Sequence, residues 1–179
     1  IAAHNEEEVI GKTVKAVLQN QNYPKDKLKV YVCAHNCKDR TATEAEKAGA
    51  KVYVLNDPDP DHARVSYPLR YRRQQILKED KDTEFFIRID ADNFLHPDFV
   101  RQRNNSISGG AKIVRAYEAA SNLKQNIWTE TCALFYTKDS RLQNTFRQAV
   151  HSTSRTPGPG LTFTREVAEK RNGWDSMGA

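Results

Sequence analysis

The chain has 179 residues, a formal net charge of +5 and a mean hydropathy of -0.77. That length fits one domain able to bury a core without staples, and no apolar run approaches the roughly 20 residues that span a bilayer. Cys33, Cys37 and Cys132 offer neither complete disulfide pairing nor the four ligands of a zinc site, and read as free thiols in a reducing compartment.

The opening Ile1-Ala2-Ala3 reads as the end of a strand, and the chain stops at Gly178-Ala179 without a helix end. An excerpt of a longer protein is therefore expected, truncated at both ends. After His4-Asn5-Glu6-Glu7-Glu8, the residues Ile10, Val14, Val17 and Leu18 recur at helical spacing, and acidic residues are expected in that helix's first turn. Leu28 to Ala34 alternates as a strand, and Asp39 or Thr41 can cap a helix over Ala42 to Ala48, with Gly49 as its stop. Lys51 to Leu55 is a third strand. This βαβαβ order with short connections predicts an α/β protein with a parallel sheet.

Asn56 to Ser66 is a long polar loop, and a helix is predicted from about Pro68 to Lys78. The apolar run from Phe85 to Ile89 then stops at Asp90-Ala91-Asp92-Asn93. In extended chain, residues two apart share a side, so Asp90 and Asp92 can face one point and hold a divalent cation between them. An Asp-rich turn is the competing reading. A helix from His96-Pro97-Asp98 to about Ser106, a strand over Ile113 to Ala116 and one or two helices within Asn126 to Val150 follow. A short strand over Leu161 to Phe163 and a brief helix from Arg165 to Arg171 complete the expected elements.

Three loops follow predicted parallel strands: Ala3-His4-Asn5-Glu6, Asn36-Cys37-Lys38-Asp39 and Asp90-Ala91-Asp92-Asn93. They are expected on one sheet edge, where open α/β sheets bind ligands. None carries a glycine-rich phosphate fingerprint, so a bound pyrophosphate would need a metal.

These loops, in this order, resemble those of inverting family 2 glycosyltransferases with the GT-A fold. Ala3-His4-Asn5-Glu6-Glu7, Ala34-His35-Asn36-Cys37-Lys38-Asp39-Arg40-Thr41, Asp90-Ala91-Asp92-Asn93, and Gly158-Pro159-Gly160 with Gly173-Trp174-Asp175 carry the likeness. It implies a Rossmann-like, mostly parallel sheet flanked by helices, one domain over residues 1–179. Residues 1–93 would form the nucleotide-binding half and 94–179 the acceptor side. It also implies transfer of a sugar, with inversion, from a UDP- or GDP-sugar to the hydroxyl of a carbohydrate or lipid-linked acceptor.

By the same likeness, the backbone near Ala3 and the residues Asn5, Glu6, Asn36 and Asp39 would hold the nucleoside, with Glu6 on the ribose and Asp39 on a base N–H. Asp90 would meet the ribose or donor sugar, and Asp92 would ligate Mn²⁺ or Mg²⁺. Asp90 and Asp92 are the expected catalytic pair. The chain departs from the family where a Gly-Lys loop is usual. Ala63-Arg64-Val65-Ser66-Tyr67-Pro68-Leu69 stands there, and Arg64 alone can replace the lysine. The family's general base would lie beyond residue 179. A nucleotide-sugar binder without activity is the alternative, and a basic nucleic-acid binder built on Arg70, Arg72 and Arg73 ranks third, with no nucleic-acid partner expected. The expected location is the cytoplasm, with the cytoplasmic face of a membrane open for the parent protein.

Overall fold

The computed structural model describes residues 1–59, 73, 75–119, 126–152 and 158–170. The first half is built on three strands, β1 (Ala2–Ala3), β2 (Tyr31–His35) and β3 (Lys51–Leu55), paired in parallel in that order. The register sets Ala3 beside Ala34 and His35 beside Leu55. β2 lies in the middle and is covered on both faces, which is why Val32, Cys33, Ala34 and His35 are all buried rather than alternating.

Helix α1 (Ile10–Asn20) turns Ile10, Thr13, Val14 and Val17 inward, one stripe at helical spacing. Each fully buried aliphatic there contributes about 2 kcal/mol. The helix starts later than expected: Glu6, Glu7 and Glu8 lie in the preceding loop and turn, and its first turn holds no acid. Helix α2 (Thr41–Lys47) packs beside α1 and is closed by Gly49 at φ 101°, a left-handed position that costs glycine nothing.

The second half surrounds β6 (Thr162–Thr164), which pairs antiparallel with both β4 (Phe85–Ile87) and β5 (Ile113–Val114). A parallel bridge from Ala2 to Asp90 joins the two sheets. The strands thus run β3-β2-β1-β4-β6-β5, with the antiparallel pairings confined to the β6 side. Phe86 and Phe163 stack at 5.8 Å, over a second core of Leu161, Phe163 and Ala168. That core is closed by helix α6 (Arg165–Lys170).

Helix α1 and the two residues after it tie the halves together. Thr13 Oγ1 donates to the Ala91 carbonyl at 2.5 Å, Gln21 bridges the His96 carbonyl and the Val100 amide, and the Asn22 amide donates to the Pro97 carbonyl. Helix α3 (Phe99–Ser108) follows, starting three residues after the His96 expected to open it.

At the opposite end of the sheet, Asp80 is buried and accepts hydrogen bonds from Lys29 Nζ, the Tyr31 hydroxyl and the Thr83 hydroxyl. Nearby, below the two-residue β1, the edges of β2 and β4 face each other across a cavity of about 650 Å³ lined by Val30, Val32, Phe85, Ile87 and others. Arg88 and Ile89 also line this cavity, so it reaches toward the strand end that carries Asp90.

Residues 126–152 form α4 (Ile127–Thr137), a π-helical stretch (Lys138–Gln143) and α5 (Asn144–Ala149). Their helical periodicity was readable, but the apolar side chains do not face the core: Trp128, Leu134, Phe135, Leu142 and Phe146 are all exposed. The helix predicted from Pro68 falls largely outside the described residues, of which 75–79 are helical.

Candidate functional site

The loops after β1 and β2 interlock through two asparagines in left-handed conformation, Asn5 at φ 55° and Asn36 at φ 50°. Asparagine tolerates that region because its short amide can bond locally. Asn5 Oδ1 accepts from the Lys38 amide at 2.8 Å. Asn36 accepts from the Asp57 amide and donates to the Asp57 carbonyl, at 2.7 and 2.8 Å. Both side chains therefore shape the loops, and Ala3 is buried where β1 ends.

Asp39 closes the arrangement. Its Oδ1 accepts from the Thr41 amide and hydroxyl, and its Oδ2 accepts from the Glu7 amide. These bonds, the Thr41 hydroxyl foremost, hold its carboxyl below the usual range. Three of roughly four lone-pair sites are in use, which leaves the carboxylate one further bond to accept. Glu6 donates its backbone N–H to Thr41 Oγ1 at 2.7 Å, and among the described residues its carboxylate makes no hydrogen bond or ion pair. Glu7, to which no role was assigned from sequence, clamps Arg40 through its backbone amide and Nε.

The bridge to Ala2 places Asp90 at the same sheet edge. The expectation that Asp90 and Asp92 share a side is corrected here, because the strand ends at Asp90. Ala91 and Asp92 form a turn, with the Asn93 amide donating back to the Asp90 carbonyl. The alternation of an extended chain stops with the extension. Asp90 Oδ1 pairs instead with Arg88 Nη2 at 3.5 Å, so a side chain supplies the cation. Asp92 is exposed and receives Asn93 Nδ2 at 3.3 Å.

Among the described residues no group of three or more His, Cys, Asp or Glu is placed to hold a metal ion. One exposed carboxylate does suit Mg²⁺ or Mn²⁺ where substrate phosphates complete the coordination. Arg64, Arg70, Arg72 and Gly173-Trp174-Asp175 lie outside the described residues. The three cysteines are free thiols.

Arg88, which pairs with Asp90, is a site residue that sequence reasoning missed. Arg88 stands two before Asp90, a spacing that could have pointed to the pair. The Arg88 amide donates to the Leu161 carbonyl and its carbonyl accepts from Gly160, so the Gly158-Pro159-Gly160 segment runs along it. A Cβ on Gly158 would meet the Arg88 guanidinium carbon at 2.5 Å. Glu118 follows β5. Burial pushes its carboxyl up, Asp139 and Asp90 add to this, and Arg115 opposes it.

A family model described as glycosyltransferase-like family 2 matches residues 1–178. The chain belongs to that family. A search of curated proteins finds no match. Among solved structures, the chain is similar to a mannosyltransferase from Pyrobaculum calidifontis in complex with GDP-Man and Mn²⁺. That match has 16% identity and a TM-score of 0.65, and it covers 98% of this chain and 46% of the other. It is also similar to glucosyl-3-phosphoglycerate synthase from Mycobacterium tuberculosis in complex with Mn²⁺, UDP-glucose and phosphoglyceric acid. There the identity is 17% and the TM-score 0.57, covering 93% of this chain and 55% of the other. These likenesses show the GT-A fold. The chain spans about half the length of the structures it matches.

Proposed function

We propose that this domain binds a nucleotide-diphosphate sugar with Mn²⁺ or Mg²⁺ and transfers the sugar, with inversion, to an acceptor hydroxyl. One observation carries the reading: the uncommitted Glu6 carboxylate, the Asp39 carboxylate and the Asp90-Asp92 turn occupy one edge of the sheet. Glu6 accepts from a ribose hydroxyl and Asp39 from a base N–H, a pattern that suits uracil or guanine. Asp90, already oriented by Arg88, faces the ribose or the donor sugar. Asp92 would hold the metal together with the donor's diphosphate, and the metal would supply charge neutralisation of the leaving group. Arg64 is the proposed substitute for the family lysine.

The Mn²⁺ in both solved relatives supports the metal, and their GDP-Man and UDP-glucose support the donor class. Three free thiols support a reducing, cytoplasmic location. A donor-binding relative without transferase activity is the second reading, favoured by the Arg88–Asp90 pair that spares Asp90 from needing a metal.

The test is calorimetric titration of UDP and GDP with and without Mn²⁺. One of the two is expected to bind at least tenfold more tightly with metal, and Asp92→Ala is expected to erase that difference. No metal-dependent binding of either nucleotide overturns the proposal, and binding without transfer in the full-length protein selects the second reading.

A further inference from the structure

The two carboxylate oxygens of Asp39 are not in the same condition. Oδ1 accepts from the Thr41 amide at 3.0 Å and from the Thr41 hydroxyl at 2.5 Å, which uses both of its lone pairs. Oδ2 accepts from the Glu7 amide at 3.1 Å and, among the described residues, from nothing else. The acceptor position that remains is therefore on Oδ2. Thr41 is fully buried, and its hydroxyl oxygen accepts from the Glu6 amide at 2.7 Å while its proton goes to Asp39. The group that closes Oδ1 is thus locked between the β1 and β2 loops, whereas Asp39 itself is partly exposed.

This count separates the two bases that carry a ring N–H on their pairing edge. Guanine presents two donors side by side, N1–H and the exocyclic N2–H, which match a carboxylate with both oxygens free. At Asp39 the second donor would meet Oδ1, whose lone pairs are taken, and a desolvated donor without an acceptor is costly. Uracil presents one donor, N3–H, between two carbonyl oxygens. Its N–H goes to Oδ2, and the other carboxylate oxygen then faces a uracil carbonyl. Two such oxygens repel. Here the two donors of Thr41 offset the charge on Oδ1 and ease that repulsion. The same bonds hold the Asp39 carboxyl below its usual range, so it stays an acceptor at neutral pH.

We infer that the nucleotide of this site is a uridine diphosphate and that Thr41 sets the choice, because by occupying Asp39 Oδ1 it leaves one acceptor, which suits uracil N3–H and not guanine. The inference rests on the nucleotide-sugar reading and narrows it to one base. Thr41 is a positioning residue that acts through Asp39.

The experiment titrates UDP, GDP and UDP methylated at uracil N3 into the full chain with Mn²⁺, for wild type, Thr41→Val and Thr41→Ser, alongside thermal melting. Wild type should bind UDP about tenfold or more tightly than GDP, and the methyl group should weaken UDP by about as much. Thr41→Val keeps the shape but frees a lone pair on Oδ1. UDP should then weaken, GDP should hold or gain, and the ratio should fall to within about threefold. Thr41→Ser returns the hydroxyl and should return the ratio. A merely structural threonine would lower both affinities together and leave the ratio alone. A ratio preserved in Thr41→Val, or not restored in Thr41→Ser, overturns the role of Thr41. GDP bound as tightly as UDP by wild type, or a methyl group without effect, overturns the uracil assignment and leaves nucleotide-sugar binding standing. Thr41→Ala replaces the valine variant if that one does not melt cooperatively, and the wild-type comparisons decide the base in either case. Failure of wild type to bind UDP or GDP overturns both readings.

Discussion

Asp80 shows how much one residue can hold when its partners come from distant chain. Burial by itself would push its carboxyl up, but the bonds from Thr83, Tyr31 and Lys29 outweigh burial and hold it well below its ordinary 3.8. The unfolded chain therefore binds this proton at a higher pH than the folded chain does. The stability it contributes is present above about pH 4 and is lost as pH falls below that value. Asp80→Asn is expected to cost about 2 kcal/mol near neutrality, because its charge-assisted hydrogen bonds are weakened while the half-exposed Lys29 stays solvated. Denaturant unfolding measured from pH 6 down to pH 2 should show a shallower acid dependence in the variant than in wild type. Nothing in Glu79-Asp80-Lys81 marks this role, because Lys29 and Tyr31 lie some fifty positions away. Asp39 was legible for the opposite reason: its cap on Thr41 is local, and local chemistry can be read in order. Asp90 and Asp92 were read as residues but not as geometry, since their orientation depends on where the strand stops.

Elements were legible to the extent that their own period matched what they bury. Ile10, Val14 and Val17 announced α1, and the alternation over Leu28 to Ala34 announced β2, whose burial on both faces it did not show. The strands around β6 were harder, because two or three residues carry no period and acquire meaning only from pairing. Residues 126–150 gave the right secondary structure, but the exposure of Trp128, Leu134 and Phe135 was not legible, since periodicity predicts a face without saying what covers it. Gly160 marks a tight approach between the β6 and β5 segments. It sits at φ 68°, and a Cβ there would overlap Ala116. Gly160→Ala is expected to destabilise the protein by about 3 kcal/mol, overpacking and left-handed strain acting together. Chemical denaturation would register the loss as a lower midpoint with an unchanged slope, and a change under about 0.5 kcal/mol would mean that the β5 segment can move aside.

At the scale of the molecule, the parallel and antiparallel halves share one strand bridge, Ala2 to Asp90, so the turn bearing Asp90 and Asp92 sits at a seam. The order of the loops along the chain located that seam in the sequence, whereas the antiparallel half behind it needed long-range register. The seam is fastened from behind by α1, through Thr13 to the Ala91 carbonyl, and by Gln21 just past its end, to His96 and Val100. Amide hydrogen exchange should reveal this dependence. Protection of the Asp90–Asn93 amides would be set by a hydroxyl on the helix rather than by the ladder. Thr13→Val keeps the shape and removes the donor, and it should speed exchange there about fivefold, the equivalent of one hydrogen bond of about 1 kcal/mol. Exchange in β2 and β3 should stay as in wild type. The carboxylate turn would then breathe on its own clock, and a ligand bridging Asp92 to the β1 and β2 loops would slow that clock in proportion to its affinity.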